Sequence, residues 1–214
     1  MALISPDQLI QEVRGKSLRS MRHICFETSR DLKPEDAFEL AKQLLFNPDI
    51  HGAMAATLLA GHVSYILPAA LAFLREKCSL NTDVRVQDCL ARAFDHFCLN
   101  RNYERAMPVM VDWGKDPNEV VRRAAIEAPR PWTRKDYFQP RPELAIEFLA
   151  KFKNDASGNV RFSAGRALSE VSEDFPDLVM KELKSWNLHY PPVKHTYMFA
   201  AKNLHAKMGV LYTE

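Results

Sequence analysis

The sequence predicts an all-α protein built from consecutive helix pairs, and three observations carry that prediction. Glycine is scarce, at seven residues in 214, and the hairpin dipeptides Asn-Gly and Asp-Gly do not occur, so the turn chemistry of an all-β chain is missing. Apolar residues recur at helical spacing in segment after segment. An apolar residue followed by a base reopens the pattern at Val84-Arg85, Val121-Arg122, Val160-Arg161 and Val193-Lys194, at intervals of 37, 39 and 33 residues, and such a period marks a structural repeat.

Taken in order, residues 18–29 and 34–46 read as a first helical hairpin, and residues 50–60 and 65–77 as a second. Residues 84–98 pair with 103–113, a helix opens again at Val121, and residues 160–172 pair with 176–186. Polar turns precede the repeating helices: Asn81-Thr82-Asp83, Lys115-Asp116-Pro117-Asn118 and Asn154-Asp155-Ala156-Ser157-Gly158. Asp, Pro and Gly favour such turns, and Asp or Ser caps a helix start. Pro191-Pro192 starts the last helix. A pair of 30 to 40 residues cannot bury its apolar stripe alone, so such pairs stack. The Val-Arg opening after an Asp resembles the HEAT-repeat pattern, which implies an all-α, right-handed HEAT-like helical-repeat α-solenoid of five or six helix pairs. Residues 1–214 are then one domain, with residues 84–90, 122–127 and 161–170 on its concave face. Met107, Met110, Phe148, Phe152, Met180 and Leu183 are expected between repeats as core.

With 47% hydrophobic and 26% charged residues the chain is soluble and globular, neither disordered nor collagen-like. Lys and Arg (29) nearly balance Asp and Glu (27), so no global charge draws the chain to nucleic acid or an anionic membrane. From Val120 to Arg166, however, ten bases stand against five acids. Any anionic partner is met there.

Four cysteines form no Cys-x-x-Cys pair and the histidines form no His-Glu-x-x-His. Buried thiols in a cytoplasmic chain are expected, with no metal site and no disulfide framework. Cys89, His96 and Cys98 share a helix at spacings that read as core rather than as ligands. The N-terminus has no apolar signal core, and the longest apolar run, from Tyr65 to Leu74, is too short for a membrane span. Phosphate-loop, Ser-His-Asp and redox motifs are absent, so phosphoryl transfer and nucleophilic hydrolysis have no support.

Two segments carry more than fold. VRRAAIEAPRPW, residues 121–132, breaks its helix with Pro129 and Pro131, at a cost of about 3 kcal/mol for an interior proline. That break, together with residues 159–186 and LRSMRHI (residues 18–24), resembles the bacterial HEAT-like-repeat DNA glycosylases AlkC and AlkD, more closely the AlkC branch. The resemblance implies an enzyme that hydrolyses the N-glycosidic bond of cationic N3- or N7-alkylated bases in double-stranded DNA, as a monomer, without cofactor or metal. A cationic base is already a good leaving group. The protein has chiefly to stabilise an oxocarbenium-like sugar and place a water, which suits carboxylates.

Residue by residue, the resemblance assigns the carboxylates to Asp88, Glu127 and Glu170. Trp132, the aromatic after the break, would contact the cationic base through its ring face. Arg85, Arg92, Arg122, Arg123, Arg130, Arg161 and Arg166 would hold DNA phosphates. Each assignment has a plainer alternative: Asp88 as a surface ion pair with Arg92, Glu127 likewise with Arg123, Glu170 with Arg166, and Trp132 as a loop residue packed on the next repeat. Departures from the pattern are visible too. Where the AlkD branch carries a pair of tryptophans this chain has Val84 and Arg166, and Glu170 stands where the AlkC-like pattern more often has Asp. The alternative to catalysis is a HEAT-like protein that binds DNA structure or scaffolds another protein.

Overall fold

A computed structural model describes residues 4–204. Among them twelve α-helices follow one another: α1 (Pro6–Val13), α2 (Leu18–Asp31), α3 (Pro34–Leu45), α4 (Ile50–Val63), α5 (Pro68–Glu76), α6 (Val84–Arg101), α7 (Tyr103–Trp113), α8 (Glu119–Glu127), α9 (Pro142–Ala150), α10 (Gly158–Asp174), α11 (Pro176–Lys184) and α12 (Pro191–Ala200), with short 3-10 turns at Cys78–Leu80 and Trp132–Arg134. The chain forms two compact units, Met1–Val109 and Met110–Glu214. Both are stacks of helical hairpins, as the repeat pattern predicts. In the first, α2, α4 and α6 lie side by side, with α3 and α5 packed on α4; in the second, α8, α10 and α12 do the same, with α9 and α11 packed on α10.

Helices of the two layers start differently. Five of the six in the central rows are capped by side chains: Ser17, Asp49, Asp83, Asn118 and Ser157 each accept a hydrogen bond from a backbone N–H in the first turn of α2, α4, α6, α8 and α10, while α12 begins with Pro191 and has no side-chain cap. The outer helices α3, α5, α9 and α11 begin with proline, whose missing N–H costs nothing in the first turn. Four of the caps are themselves held from two residues upstream. The Asn47, Asn81, Asp116 and Asp155 side chains accept from the backbone N–H of Asp49 (2.9 Å), Asp83 (2.9 Å), Asn118 (2.8 Å) and Ser157 (2.8 Å). The loop sequence thus fixes where α4, α6, α8 and α10 start.

The central helices approach closely. A Cβ added at Gly61 on α4 would lie 2.5 Å from the Cβ of Ala93 on α6, and one at Gly165 on α10 would lie 2.7 Å from the Cβ of Phe199 on α12. Only hydrogen fits at either position. Met110, Phe148, Phe152 and Leu183 are buried as the periodicity requires, whereas Met107 and Met180 are half-buried. All four cysteines are buried, and none is in a disulfide. Burial pushes the thiols of Cys78 and Cys89 up to about 12, so they stay protonated and unreactive. Among the described residues no helix is long and apolar enough to cross a membrane.

Candidate functional site

The proline break after α8 is held at both ends. α8 stops at Glu127, and the chain turns through Ala128, Pro129 and a cis Arg130-Pro131 bond into the 3-10 turn that begins with Trp132. Trp132 is 1% exposed. Its ring packs 4.6 Å from Phe138 and 5.6 Å from Phe148, centroid to centroid, and its Nε1–H donates to the Ile126 carbonyl at 3.2 Å. The indole therefore pins the loop to the end of α8 and fills the core. The ring face expected to meet a base is not open to one here; of the two sequence-based readings, the packed loop residue describes its surroundings.

Arg130 holds the other side. Its Nη1–H donates to Glu127 Oε2 at 2.5 Å, its Nε–H to Glu170 Oε2 at 2.8 Å, and its Nη2–H to Glu170 Oε1. One guanidinium thus joins the last residue of α8 to the middle of α10, bidentate on Glu170, the geometry that arginine favours for a carboxylate. Burial works against the charge on Arg130, but the hydrogen bonds to Glu170 and the negative charges of both glutamates outweigh it and hold the guanidinium charged above its ordinary value. Two predicted catalytic carboxylates are therefore gathered at one place with a net charge of −1. Their pairing follows neither alternative drawn from sequence, since Glu127 and Glu170 meet Arg130 rather than Arg123 and Arg166. The Glu170 side chain is the most open of the three, at 33% exposure against 19% for Glu127 and 15% for Arg130.

Arg166 projects from the exposed face of α10, its guanidinium 5.6 Å from the centroid of the Phe162 ring. Phe162, Arg166 and Glu170 are successive at four-residue spacing and so lie along one side of the helix. Phe162 is 40% exposed. Sequence reasoning passed over it, although an aromatic four residues before an arginine on a helix predicted to carry a site carboxylate was a readable signal.

Two of the remaining arginines fasten loops. Arg122 makes a bidentate pair with Asp155, at 2.8 and 2.7 Å, and donates from Nη1 to the carbonyls of Asp116 (2.8 Å) and Pro117 (3.0 Å). The Asp155 hydrogen bonds, opposed by burial, hold its guanidinium charged above the ordinary value. Arg161 repeats the arrangement one helix pair later, donating from Nη1 to the carbonyls of Asp155 (2.5 Å) and Ala156 (3.1 Å). Arginine at the second or fourth position of a central helix thus turns back to tie the loop that led into it. Arg123 is half-buried on α8.

In the first unit, Asp88 and Arg92 are half-buried on α6. Arg85 is exposed and folds back on the capping Asp83, at 3.0 and 2.7 Å, not onto Asp88. Val84, at the position expected to lack an aromatic, is 58% exposed. Among the described residues no three His, Cys, Asp or Glu side chains come together in a way that could hold a metal ion.

Comparisons with known proteins converge on one group. The structure of AlkD2 from Streptococcus mutans superposes with a TM-score of 0.87 at 33% identity, covering 92% of this chain and 98% of that one. That of smu.31 from Streptococcus mutans UA159 gives 0.86 at 34% identity, with the same coverage. Pseudomonas fluorescens alkylpurine DNA glycosylase AlkC, solved bound to DNA containing an abasic site analogue, gives 0.67 at 22% identity, covering 97% of this chain and 60% of that one, which is a likeness of fold. By identity AlkD2 is thus nearer than AlkC, where the motifs had pointed towards the AlkC branch. Among curated sequences, the uncharacterized protein YhaZ of Bacillus subtilis is 29% identical over 102 residues, a match that spans 44% of this chain and 29% of that protein. The family model described as DNA alkylation repair enzyme matches residues 10–198, and with a helical-repeat fold and a carboxylate–arginine cluster at its proline break, the chain belongs to that family.

Proposed function

We propose that this chain is a DNA glycosylase that hydrolyses the N-glycosidic bond of cationic N3- or N7-alkylated bases in double-stranded DNA, acting in the cytoplasm as a monomer without metal or cofactor. The observation that carries the reading is the Glu127–Arg130–Glu170 cluster in a chain of this family. An alkylated ring nitrogen leaves without needing a proton, so the barrier lies in the positive charge that develops on the sugar. A rigid, net negative group stabilises that charge without reorganising. Glu170, the most open of the three, faces the sugar, and Glu127 orients the attacking water. Arg130 fixes both carboxylates and so does not itself grip phosphate. Arg123 and Arg166 take phosphates, and the exposed Phe162 ring takes the place intended for the buried Trp132 as the aromatic surface for a cationic base. Asp88 has a share in the chemistry by sequence pattern alone, and Arg85 and Arg92 a share in phosphate binding.

The family of folds serves binding as well as catalysis, and one observation favours a second reading: both glutamates of the cluster are already engaged by an arginine. On that reading the chain recognises DNA structure, or scaffolds a protein, without cutting. Release of methylated bases from alkylated duplex DNA separates the two. Release by the wild type that falls at least tenfold in E127Q or E170Q, with the circular dichroism spectrum unchanged, supports the glycosylase. Salt-dependent binding without release leaves a DNA binder. No binding at low salt leaves a scaffold.

A further inference from the structure

The first unit carries an aromatic cluster that the carboxylate chemistry does not use. Four rings from three adjacent helices converge: Phe26 on α2, His62 at the end of α4, Tyr65 just beyond it, and His96 on α6. The centroid distances are 5.4 Å for Phe26–His62, 4.8 Å for His62–His96, 6.5 Å for Phe26–His96 and 5.9 Å for Tyr65–His96. Burial, followed by the proximity of His96, pushes the His62 imidazole down to about 3, so this ring stays neutral at neutral pH. The two histidines stand edge-on to Phe26 and act as a rigid backing.

Phe26 differs from a core aromatic in being 39% exposed, whereas Phe94 on α6 is fully buried. Its outer neighbours are basic. Residues 18–26 carry Arg19, Arg22 and His23 and no acid, and all three are exposed on α2. On the far side the Arg30 guanidinium lies 5.7 Å from the Phe26 centroid, on a side chain that is 62% exposed and paired with Glu27, itself 46% exposed. A supported aromatic ring with cations one turn to either side, one of them readily displaced, matches the arrangement by which proteins hold an unstacked base. The ring takes the base face and the arginines take the flanking phosphates.

We propose that Phe26, backed by His62 and His96 and flanked by Arg19, Arg22 and Arg30, is a stacking site for an unpaired nucleotide of DNA. The proposal rests on the reading of the chain as a DNA-acting protein and adds to it a preference for DNA that is locally unpaired. Any base presents a π-face, so the site selects for accessibility rather than sequence.

The test is fluorescence anisotropy with three probes of one length: a single-stranded oligonucleotide, a duplex with one bulged nucleotide, and a fully paired duplex. The wild type is expected to bind the bulged duplex more tightly than the paired one. F26A and F26L should each lose roughly tenfold on the bulged and single-stranded probes, R22Q should lose affinity for all three, and F26W should restore the preference with its added indole fluorescence quenched on binding. F26L keeps apolar bulk, so its loss shows that the ring and not mere packing is needed; matching urea midpoints confirm that the variants are folded. Equal binding of bulged and paired duplex by the wild type, or an F26L variant that keeps the preference, overturns the stacking site while leaving a DNA-acting protein intact. Absence of binding to all three probes at low salt overturns the DNA reading itself.

Discussion

His62 sets a pH dependence that can be measured without any ligand. Its imidazole is driven from an ordinary value of 6.5 to about 3, first by burial and then by its neighbour His96. The sign follows from the direction of that shift. The unfolded chain takes up a proton at His62 as the pH falls through 6.5, and the folded chain does not until about 3. Stability is therefore full above pH 6.5 and declines steadily towards pH 3. Between pH 7 and pH 5 the loss from this one group is about 2 kcal/mol. Carboxylates contribute little in that window, because their ordinary values lie near 4. His96 is also lowered by burial and adds a loss of the same sign. His62→Gln retains a polar side chain and removes the titration. Urea unfolding followed by far-UV circular dichroism should show that the wild type loses about 2 kcal/mol more than H62Q between pH 7 and pH 5. Equal losses in the two proteins would show that His62 is solvated enough to charge in the folded state, and the rigid backing inferred for Phe26 would lose its support.

Removing Arg122 breaks a largely buried pair and frees two loop carbonyls, so R122A should cost about 3 kcal/mol in urea unfolding. W132A should cost about 3–5 kcal/mol as a core truncation, and W132F only about 1 kcal/mol for the lost bond to Ile126; a W132F protein of normal stability that released no base would return Trp132 to the site. G61A should lower the unfolding midpoint, since its methyl group meets Ala93 at 2.5 Å, whereas G158A, with only the Arg161 Nη2 at 3.7 Å, should be tolerated. For DNA binding against salt, R166Q should reduce the logarithmic slope by about one, and R122Q, whose arginine is tied to Asp155, should leave it unchanged.

The fold was legible because its signals are local. The loop residues that cap α6, α8 and α10 sit directly before the Val-Arg openings, so one stretch of sequence specifies both the turn and the helix start. The prolines that begin α3, α5, α9 and α11 fix the starts of those outer helices in the same way, as Pro191 does for α12. Boundaries differed where side chains compete weakly with the helix: α6 runs on to Arg101 and α10 to Asp174, beyond the apolar pattern, because nothing in either sequence stops them before Asn102 and Phe175. The division between Val109 and Met110 falls inside α7, where no linker composition announces it.

The site was less legible, because a charged side chain is defined by partners far away in sequence. Arg122 and Arg130 counted equally towards the local excess of base between Val120 and Arg166, yet Asp155 is 33 residues from the first and Glu170 is 40 from the second. Helical spacing offers partners only three or four residues away, and it offered Arg123 to Glu127 and Arg166 to Glu170. Arg130 meets both instead: it lies three residues after Glu127, at local spacing but past the end of α8, and from the proline break it also reaches Glu170 on α10. The break that made this segment recognisable is thus also what brings Glu127 and Glu170 to one guanidinium. A variant that repaired the helix by replacing Pro129 and Pro131 would have to pull Arg130 away from Glu170 or Trp132 out of the core, so the two prolines and the two anchors form a single structural unit.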